Sequence, residues 1–226
     1  MSNKRPIGIQ LYTVRDALAA DWEGTLEKIA EMGYLGVETA GFGYAPSVEA
    51  ARAKYESLGL EVIGAHSGLP LGDKKNEVLE TIAALGSDNL ICAGTGRELF
   101  GTVDSIKERA ATFNEVNAIC KANGLKFGLH NHWWEYAMVD GRTAYDIMLD
   151  DLDDDIFFEI DTYWVTAAGL DAAAEVAKLN HRAPLLHIKD GSTKHEDSMM
   201  AVGSGVMDFH KVIPAGSNAK WYCHAC

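Results

Sequence analysis

The chain has 226 residues, 47% of them hydrophobic, and a formal net charge of −13. That length suits one large α/β barrel or two small domains with an ordinary globular core, and the acidic balance argues against nucleic acid and acidic membrane surfaces as partners. No run reaches the roughly 18 apolar residues of a membrane span, four cysteines are too few for a disulfide scaffold, and the N-terminus has no signal-type apolar region, so a cytoplasmic location is expected.

Strand-like runs recur along the chain. In order they are Ile7-Gly-Ile-Gln-Leu-Tyr12, Leu35-Gly-Val-Glu38, Leu60-Glu-Val-Ile-Gly-Ala-His66 and Asn89-Leu-Ile-Cys-Ala93, then 125–132, Asp155-Ile-Phe-Phe-Glu-Ile-Asp161, 183–189 and 220–224. Their spacing is about 30 residues, the length of one βα unit. Between them the apolar period changes from two to 3.6. Trp22, Leu26 and Ile29 share a helix face, as do Val48, Ala51, Tyr55 and Leu58, then Val78, Ile82 and Leu85. Ile106, Ala110, Phe113, Val116 and Cys120 form the longest stripe, and Leu170, Ala173, Val176 and Leu179 a later one. Asp21 and Ser47 suit N-caps. Gly33, Gly59, Gly86 and Gly124 each stand between a helix and the next strand, where a left-handed residue ends the helix.

This repeat predicts a single domain over 1–226, an α/β (β/α)8 TIM barrel that is C-terminally incomplete because no final helix follows the eighth strand. An open doubly wound sheet is the competing fold, but the first strand lacks the glycine-rich turn of a dinucleotide site. Apolar surface left uncovered beside strands one and eight would favour association, so a homo-oligomer or a covering partner is one outcome.

In such a barrel the C-terminal strand ends build the active site. Here they carry Gln10, Tyr12 and Arg15; Glu38; His66; Cys92; His130, His132 and Glu135; Asp161 and Trp164; His187, Lys189 and Asp190; then Cys223 and His224. Histidine and carboxylate donors arriving from different strands are what a divalent metal needs. Asp161 ends a strongly apolar strand, and a buried unpaired carboxylate costs several kcal/mol, so it requires a partner; a metal is the economical one. Trp133, Trp134 and Trp164 can be core residues or walls for a sugar ring. The acidic run Asp150-Asp-Leu-Asp-Asp-Asp155 reads as a solvated turn rather than a calcium loop. Ala93-Gly-Thr-Gly-Arg97 and Val202-Gly-Ser-Gly-Val206 are short glycine loops of the kind that can cradle phosphate. Cys223-His-Ala-Cys226 is half of a zinc pattern with no second half.

The pieces Ile7-Gly-Ile-Gln-Leu-Tyr-Thr-Val-Arg-Asp16, Met32-Gly-Tyr-Leu-Gly-Val-Glu38, Gly128-Leu-His-Asn-His-Trp-Trp-Glu-Tyr136, Asp161-Thr-Tyr-Trp164, Leu186-His-Ile-Lys-Asp190 and Val202-Gly-Ser-Gly-Val-Met-Asp-Phe209 occur in this order. Together they resemble the xylose isomerase-like TIM-barrel superfamily, in its sugar phosphate isomerase/epimerase branch. The resemblance implies a divalent metal (Mn, Zn or Mg) with Asp161 and His187 as ligands. In strand five it points to Glu135 in preference to His130. It implies Lys189 as an acid/base and His66 and Trp164 as substrate contacts. Two departures stand out: Ala225 sits where relatives carry a strand-eight glutamate, and Ser204 sits where they often carry an acid. Loss of a carboxylate weakens the hold on a hard cation.

The sequence therefore predicts a metal-assisted isomerase, epimerase or related lyase acting on a sugar, keto-sugar or cyclitol through an enediolate-type intermediate. Glu135 and Lys189 are expected to be catalytic, with Glu135, Asp161 and His187 on the metal. Arg15, Glu38, His66, His130, His132 and Trp164 are expected to contact a small carbohydrate. The alternative is a truncated, catalytically weak barrel that binds carbohydrate or serves a larger complex. Cleavage of abasic DNA, a chemistry found in the same superfamily, is disfavoured by the −13 charge.

Overall fold

The computed structural model describes residues 5–41, 44–194 and 197–226. Eight parallel strands close into a barrel. We label them β1 (Ile7–Gln10), β2 (Gly36–Ala40), β3 (Glu61–Ser67), β4 (Asn89–Cys92), β5 (Lys126–His130), β6 (Phe157–Asp161), β7 (Leu185–Ile188) and β8 (Trp221–His224). They follow one another around the wall in sequence order, and β8 closes on β1 with Ile7 opposite Tyr222 and Ile9 opposite His224. One irregularity falls between β2 and β3, where the register slips after Val37.

The helices Trp22–Glu31, Val48–Ser57, Lys75–Leu85, Val103–Ala122, Ala144–Leu149, Ala172–Leu179 and Phe209–Ala215 lie in the connections. Their apolar stripes face the outer side of the strands. Ile106, Ala110, Phe113, Val116 and Cys120 are all buried, and the Phe113 ring meets Phe127 of β5 at 5.9 Å. Asp21 and Ser47 cap their helices by accepting from Gly24 and Ala50. The four glycines expected to end helices all have positive φ. One stripe differs from the sequence reading. The last turn before β7 buries Ala172, Val176 and Leu179, while Leu170 is exposed, because the helix starts only after the Asp171 cap.

Inside the barrel the sequence is layered. The lower layer is apolar: Ile91, Phe157 and Leu185 pack with Trp221. Phe157 lies across β5 so closely that a Cβ on Gly128 would stand 2.2 Å from its ring. Two residues further up, the same inward faces become polar. β6 presents Phe157, then Glu159, then Asp161; β7 presents Leu185, then His187, with Lys189 just beyond; β8 presents Trp221, then Cys223. Alternation along a strand thus turns a core layer into a site layer within one pleat.

Outside β1 and β8, Ile7, Tyr34, Ile188, Phe209, Ile213, Tyr222 and His224 line an apolar groove of about 420 Å³. No helix among the described residues is long and apolar enough to cross a membrane.

Candidate functional site

The C-terminal mouth opens into a cavity of about 690 Å³ whose lining includes Gln10, Tyr12, His66, Gly94, His130, His132, Trp164, Lys189, Met199 and Cys226. Its floor is a knot of imidazoles and carboxylates brought together by strand register. β5 sets His130 opposite Glu159 of β6, and β6 sets Asp161 opposite His187 of β7. Glu159 Oε2 lies 2.6 Å from His66 Nε2, 3.1 Å from His130 Nδ1 and 3.2 Å from His187 Nε2. Glu38 Oε1 lies 3.0 Å from both His66 Nε2 and His187 Nε2 and accepts from the Gln10 amide at 2.8 Å. All of these groups are buried or nearly so.

Asp161 closes the knot from above. Its Oδ2 is 3.7 Å from His187 Nδ1, 3.9 Å from His130 Nε2 and 2.8 Å from the Lys189 ammonium. Its Oδ1 accepts from Trp164 N and caps the helix Thr162–Ala167. The partner that a buried Asp161 requires is therefore Lys189, supplied by the protein itself. His130 and His187 each bridge two carboxylates, Glu159 below and Asp161 above.

This arrangement sets the charge states. Burial opposes charge on His66, but Glu38 and Glu159 outweigh it and push the imidazole up to about 9. The same contest drives His187 well above its ordinary value. His130 goes the other way, down to about 3, because burial and its charged histidine neighbours exceed what Glu159 returns. Burial would raise Asp161, yet Lys189, His187 and His130 hold it below the usual carboxylate range. Glu159 is held well below its ordinary value by His187 and His66, again against burial.

The donor atoms of His66, His130, Glu159 and His187 all lie within 4.8 Å of one another, and Glu38, His187 and Cys223 form an overlapping group. Glu38 Oε2, Glu159 Oε1 and His187 Nδ1 are buried without a hydrogen-bond partner, and Asp161 Oδ2 has only its ion-pair contacts to Lys189, His187 and His130. Buried polar atoms are normally satisfied, so these orphans fit a cation. Mixed imidazole and carboxylate donors suit zinc or manganese better than magnesium, which prefers oxygen and retained water.

Glu159 was not picked out from the sequence. It sits inside the apolar run Ile156-Phe-Phe-Glu-Ile160. The available signal was its period: two residues before Asp161, it must share that residue's inward face.

The other expected site residues are placed as follows. Glu38 and His66 belong to the buried floor. His132 lines the cavity, stacked on Trp134 at 4.1 Å, and its ring lies so close to Gly94 that a Cβ there would be 2.7 Å away. Trp164 lines the cavity, with the Lys189 ammonium 5.2 Å from its ring and Trp133 at 4.8 Å. Glu135 is not among the converging donors. Its Oε2 accepts from His132 N at 2.9 Å, and it faces a small internal void with Cys92, Thr95 and Tyr145. Arg15 donates to the Tyr12 carbonyl, lies over the Tyr12 ring and lines a separate shallow pocket.

The acidic run is a structural turn: Asp150 pairs with Arg142, and Asp153 and Asp155 accept from Asn117. The glycine loop after β7 holds an anion from within the chain. Asp190 accepts from the backbone N–H groups of Gly191, Gly203, Gly205 and Met207. His224 contacts Tyr34 Oη and Cys226 Sγ and joins neither donor group.

A closed parallel barrel with ionisable groups gathered at its C-terminal mouth is the build in which TIM barrels carry their active sites. The profile of the family described as xylose isomerase-like TIM barrel matches residues 26–215, and the chain belongs to that family. No curated protein matches it. Among solved structures, a sugar phosphate isomerase/epimerase from Parabacteroides distasonis is 26% identical over 98% of this chain and 90% of its own, with a TM-score of 0.76. Another from the same organism is 21% identical over 100% of this chain and 88% of its own, with a TM-score of 0.78. A probable 3-DHS dehydratase, AsbF, involved in petrobactin synthesis in Bacillus anthracis, is 11% identical over 98% and 92%, with a TM-score of 0.73.

Proposed function

We propose that this barrel is an isomerase or epimerase, or a closely related lyase, that moves a proton at a carbon beside the carbonyl of a sugar, keto-sugar or cyclitol. The observation that carries the reading is the cavity floor, where buried imidazoles and carboxylates converge under an ammonium–carboxylate pair. His66, His130, Glu159 and His187 would hold a divalent cation, which would supply Lewis acidity toward a carbonyl oxygen.

The chain's own residues do the rest. Lys189 reaches the cavity and is the proton carrier at the substrate carbon, a role worth about 10²–10⁴-fold. Asp161 fixes the Lys189 ammonium. Glu38, tied to Gln10, holds His66 and His187. Trp164 offers an apolar face for the ring carbons, and His132 offers a polar edge. Glu135, expected from the sequence as metal ligand and proton carrier, is assigned here to holding the His132 turn. The enediolate's charge would develop within reach of these polarised groups.

The test is solvent exchange. Protein supplemented with zinc or manganese is incubated in D2O with a panel of ketoses and inososes, and C–H loss is followed by NMR. Exchange with at least one substrate, reduced about 100-fold or more in Lys189→Gln with ligand binding retained, is the expected result. No exchange across the panel would sink the proposal. The self-contained Asp161–Lys189 pair favours one second reading, a barrel that binds carbohydrate without turning it over. Calorimetric sugar binding without exchange would select it.

A further inference from the structure

We propose that Cys226 is a nucleophile in the cavity wall that captures small aldehydes reversibly as hemithioacetals, with His224 as its base and Tyr34 orienting that base. This chemistry goes beyond the proton transfer proposed above and does not depend on it. The segment Cys223-His-Ala-Cys226 carries two of the four cysteines, and they lie in different surroundings. Cys223 is buried beside Glu38 and His187. Cys226 is half-buried and lines the cavity together with Lys189 and Trp164, the one thiol among the described lining residues.

The thiol is held in place and has a base within reach. Cys226 N donates to Thr13 Oγ1 at 3.0 Å, and Ala225 N donates to the Ile188 carbonyl at 3.3 Å. These bonds tie the segment to the turn after β1 and to β7. Cys226 Sγ lies 3.4 Å from His224 Nε2, and His224 Nδ1 lies 2.8 Å from Tyr34 Oη with the two rings nearly parallel at 6°. Nucleophile, base and orienting group follow one another in the order an activated thiol needs. With Nδ1–H donating to the Tyr34 oxygen, Nε2 keeps its lone pair for the thiol proton.

Burial raises the Cys226 thiol and lowers the His224 imidazole, so the pair rests uncharged and the proton leaves sulfur only as the new bond forms. Sulfur attacks the aldehyde carbon, and the C=O π pair moves onto oxygen. His224 Nε2 takes the thiol proton, which passes on to that oxygen. The product is a neutral hemithioacetal; no oxidant or reductant is consumed, and reversal regenerates the thiol. Lys189, at the end of the neighbouring strand, directs its ammonium at Asp161 and has further N–H groups to spare. Its charge reaches Cys226, so it offers the oxygen a donor as negative charge builds there. An aldehyde with a neighbouring hydroxyl, such as the open chain of a short aldose, matches the polar wall of Gln10, His132 and Lys189.

The probe is glycolaldehyde labelled with 13C at its carbonyl carbon, with glycerol as the carbonyl-free control. Wild type should give a protein-bound hemithioacetal resonance that Cys226→Ala lacks. Its absence from wild type, or its persistence in a folded Cys226→Ala, overturns the proposal. A second measurement needs no variant. Cys226 is alkylated with iodoacetamide and the labelled peptide quantified by mass spectrometry. Saturating glycolaldehyde should slow the labelling about tenfold or more, while equal glycerol leaves it unchanged. Protection by both compounds, or by neither, overturns covalent capture. The orienting role is read in Tyr34→Phe. Adduct formation should slow about tenfold or more with its equilibrium level unchanged, and the His224 ring 15N shifts should report the proton moving from Nδ1 towards Nε2. An adduct that forms as fast as in wild type, or an unchanged His224 tautomer, overturns that role.

Discussion

Lys189→Met removes the nearest cation from the Asp161 carboxylate, leaving His187 Nδ1 at 3.7 Å and His130 Nε2 at 3.9 Å, and the cost can be worked from the geometry. Lys189 keeps 9% of its side chain exposed and Asp161 none, so the pair is a buried one. Removing one partner from a buried ion pair costs about 3–5 kcal/mol, because a charge is left behind without compensation. Two features of the site limit that cost. Trp164 N still donates to Oδ1, and the carboxyl can protonate. Protonating an ordinary aspartate at pH 7 costs about 4 kcal/mol, from about 1.4 kcal/mol per pH unit above a reference value near 3.9. That caps the penalty at about 4 kcal/mol at pH 7 and about 1.5 kcal/mol at pH 5.

For a domain of this size, 3–4 kcal/mol corresponds to a fall in Tm of roughly 6–16 °C. In the wild type the Asp161 carboxyl is depressed by Lys189 and the neighbouring histidines against the pull of burial. Its stabilisation is therefore present above the ordinary aspartate range and is lost only as pH falls through the depressed value. In Lys189→Met the sign reverses, and the defect should shrink between pH 7 and pH 5. Differential scanning calorimetry in EDTA at the two pH values measures this. Adding Asp161→Asn should recover more than half of the loss, as a double-mutant cycle. A Tm change under about 2 °C at pH 7, or a defect that does not shrink at pH 5, would refute the account of a buried, charge-determined pair.

Three further outcomes follow from contacts in the same region. Glu159→Gln removes the carboxylate shared by His66, His130 and His187, so zinc retained after dialysis, read by elemental analysis, should fall at least tenfold; unchanged retention would remove Glu159 from the ligand set. Gly128→Ala places a Cβ 2.2 Å from the Phe157 ring and should lower the urea-derived stability by about 1–3 kcal/mol, a loss that Phe157→Leu relieves if the contact is the cause. Burial pushes Cys92 and Cys120 up to about 11 and Cys223 up to about 12, and raises the half-buried Cys226 as well, so at pH 8 native protein should label at Cys226 first, slower than a free thiol, with the other three labelled only after unfolding.

Much of this molecule could be read from its sequence, and the limits are physical. The barrel announces itself through a period that alternates between two and 3.6, and through glycines in the left-handed region at Gly33, Gly59, Gly86 and Gly124. Strand tips were legible because a polar residue that ends an apolar strand must find a polar partner there, and His66, Asp161, His187 and Lys189 all converge on the cavity. Glu159 was hidden by its neighbours: inside Ile156-Phe-Phe-Glu-Ile160 the composition is that of core, and only the inward face it shares with Asp161 distinguishes it. The direction of Glu135 depends on the turn Trp134–Tyr136, which local spacing does not specify. Asp190 meets Gly203, Gly205 and Met207 across 13 to 17 residues, a loop closure that no periodic pattern encodes.

The proposed donor set lies inward of the one that the strand tips alone suggest. Tip residues would place the metal among Glu135, Asp161 and His187, at the level of the cavity mouth. In the structure the converging donors lie one pleat lower, on Glu159, with Asp161 drawn to Lys189. The inward shift bears on Ala225, where the family resemblance leads one to expect a strand-eight glutamate. A site centred on Glu159 takes its donors from β3, β5, β6 and β7, and uses nothing from β8. Cys223, the inward residue of β8 at that depth, belongs instead to the neighbouring group with Glu38 and His187. A glutamate restored at Ala225 would then leave metal retention unchanged, whereas in a tip-level site it would raise it. Comparing zinc retention in Ala225→Glu with the loss in Glu159→Gln separates the two depths.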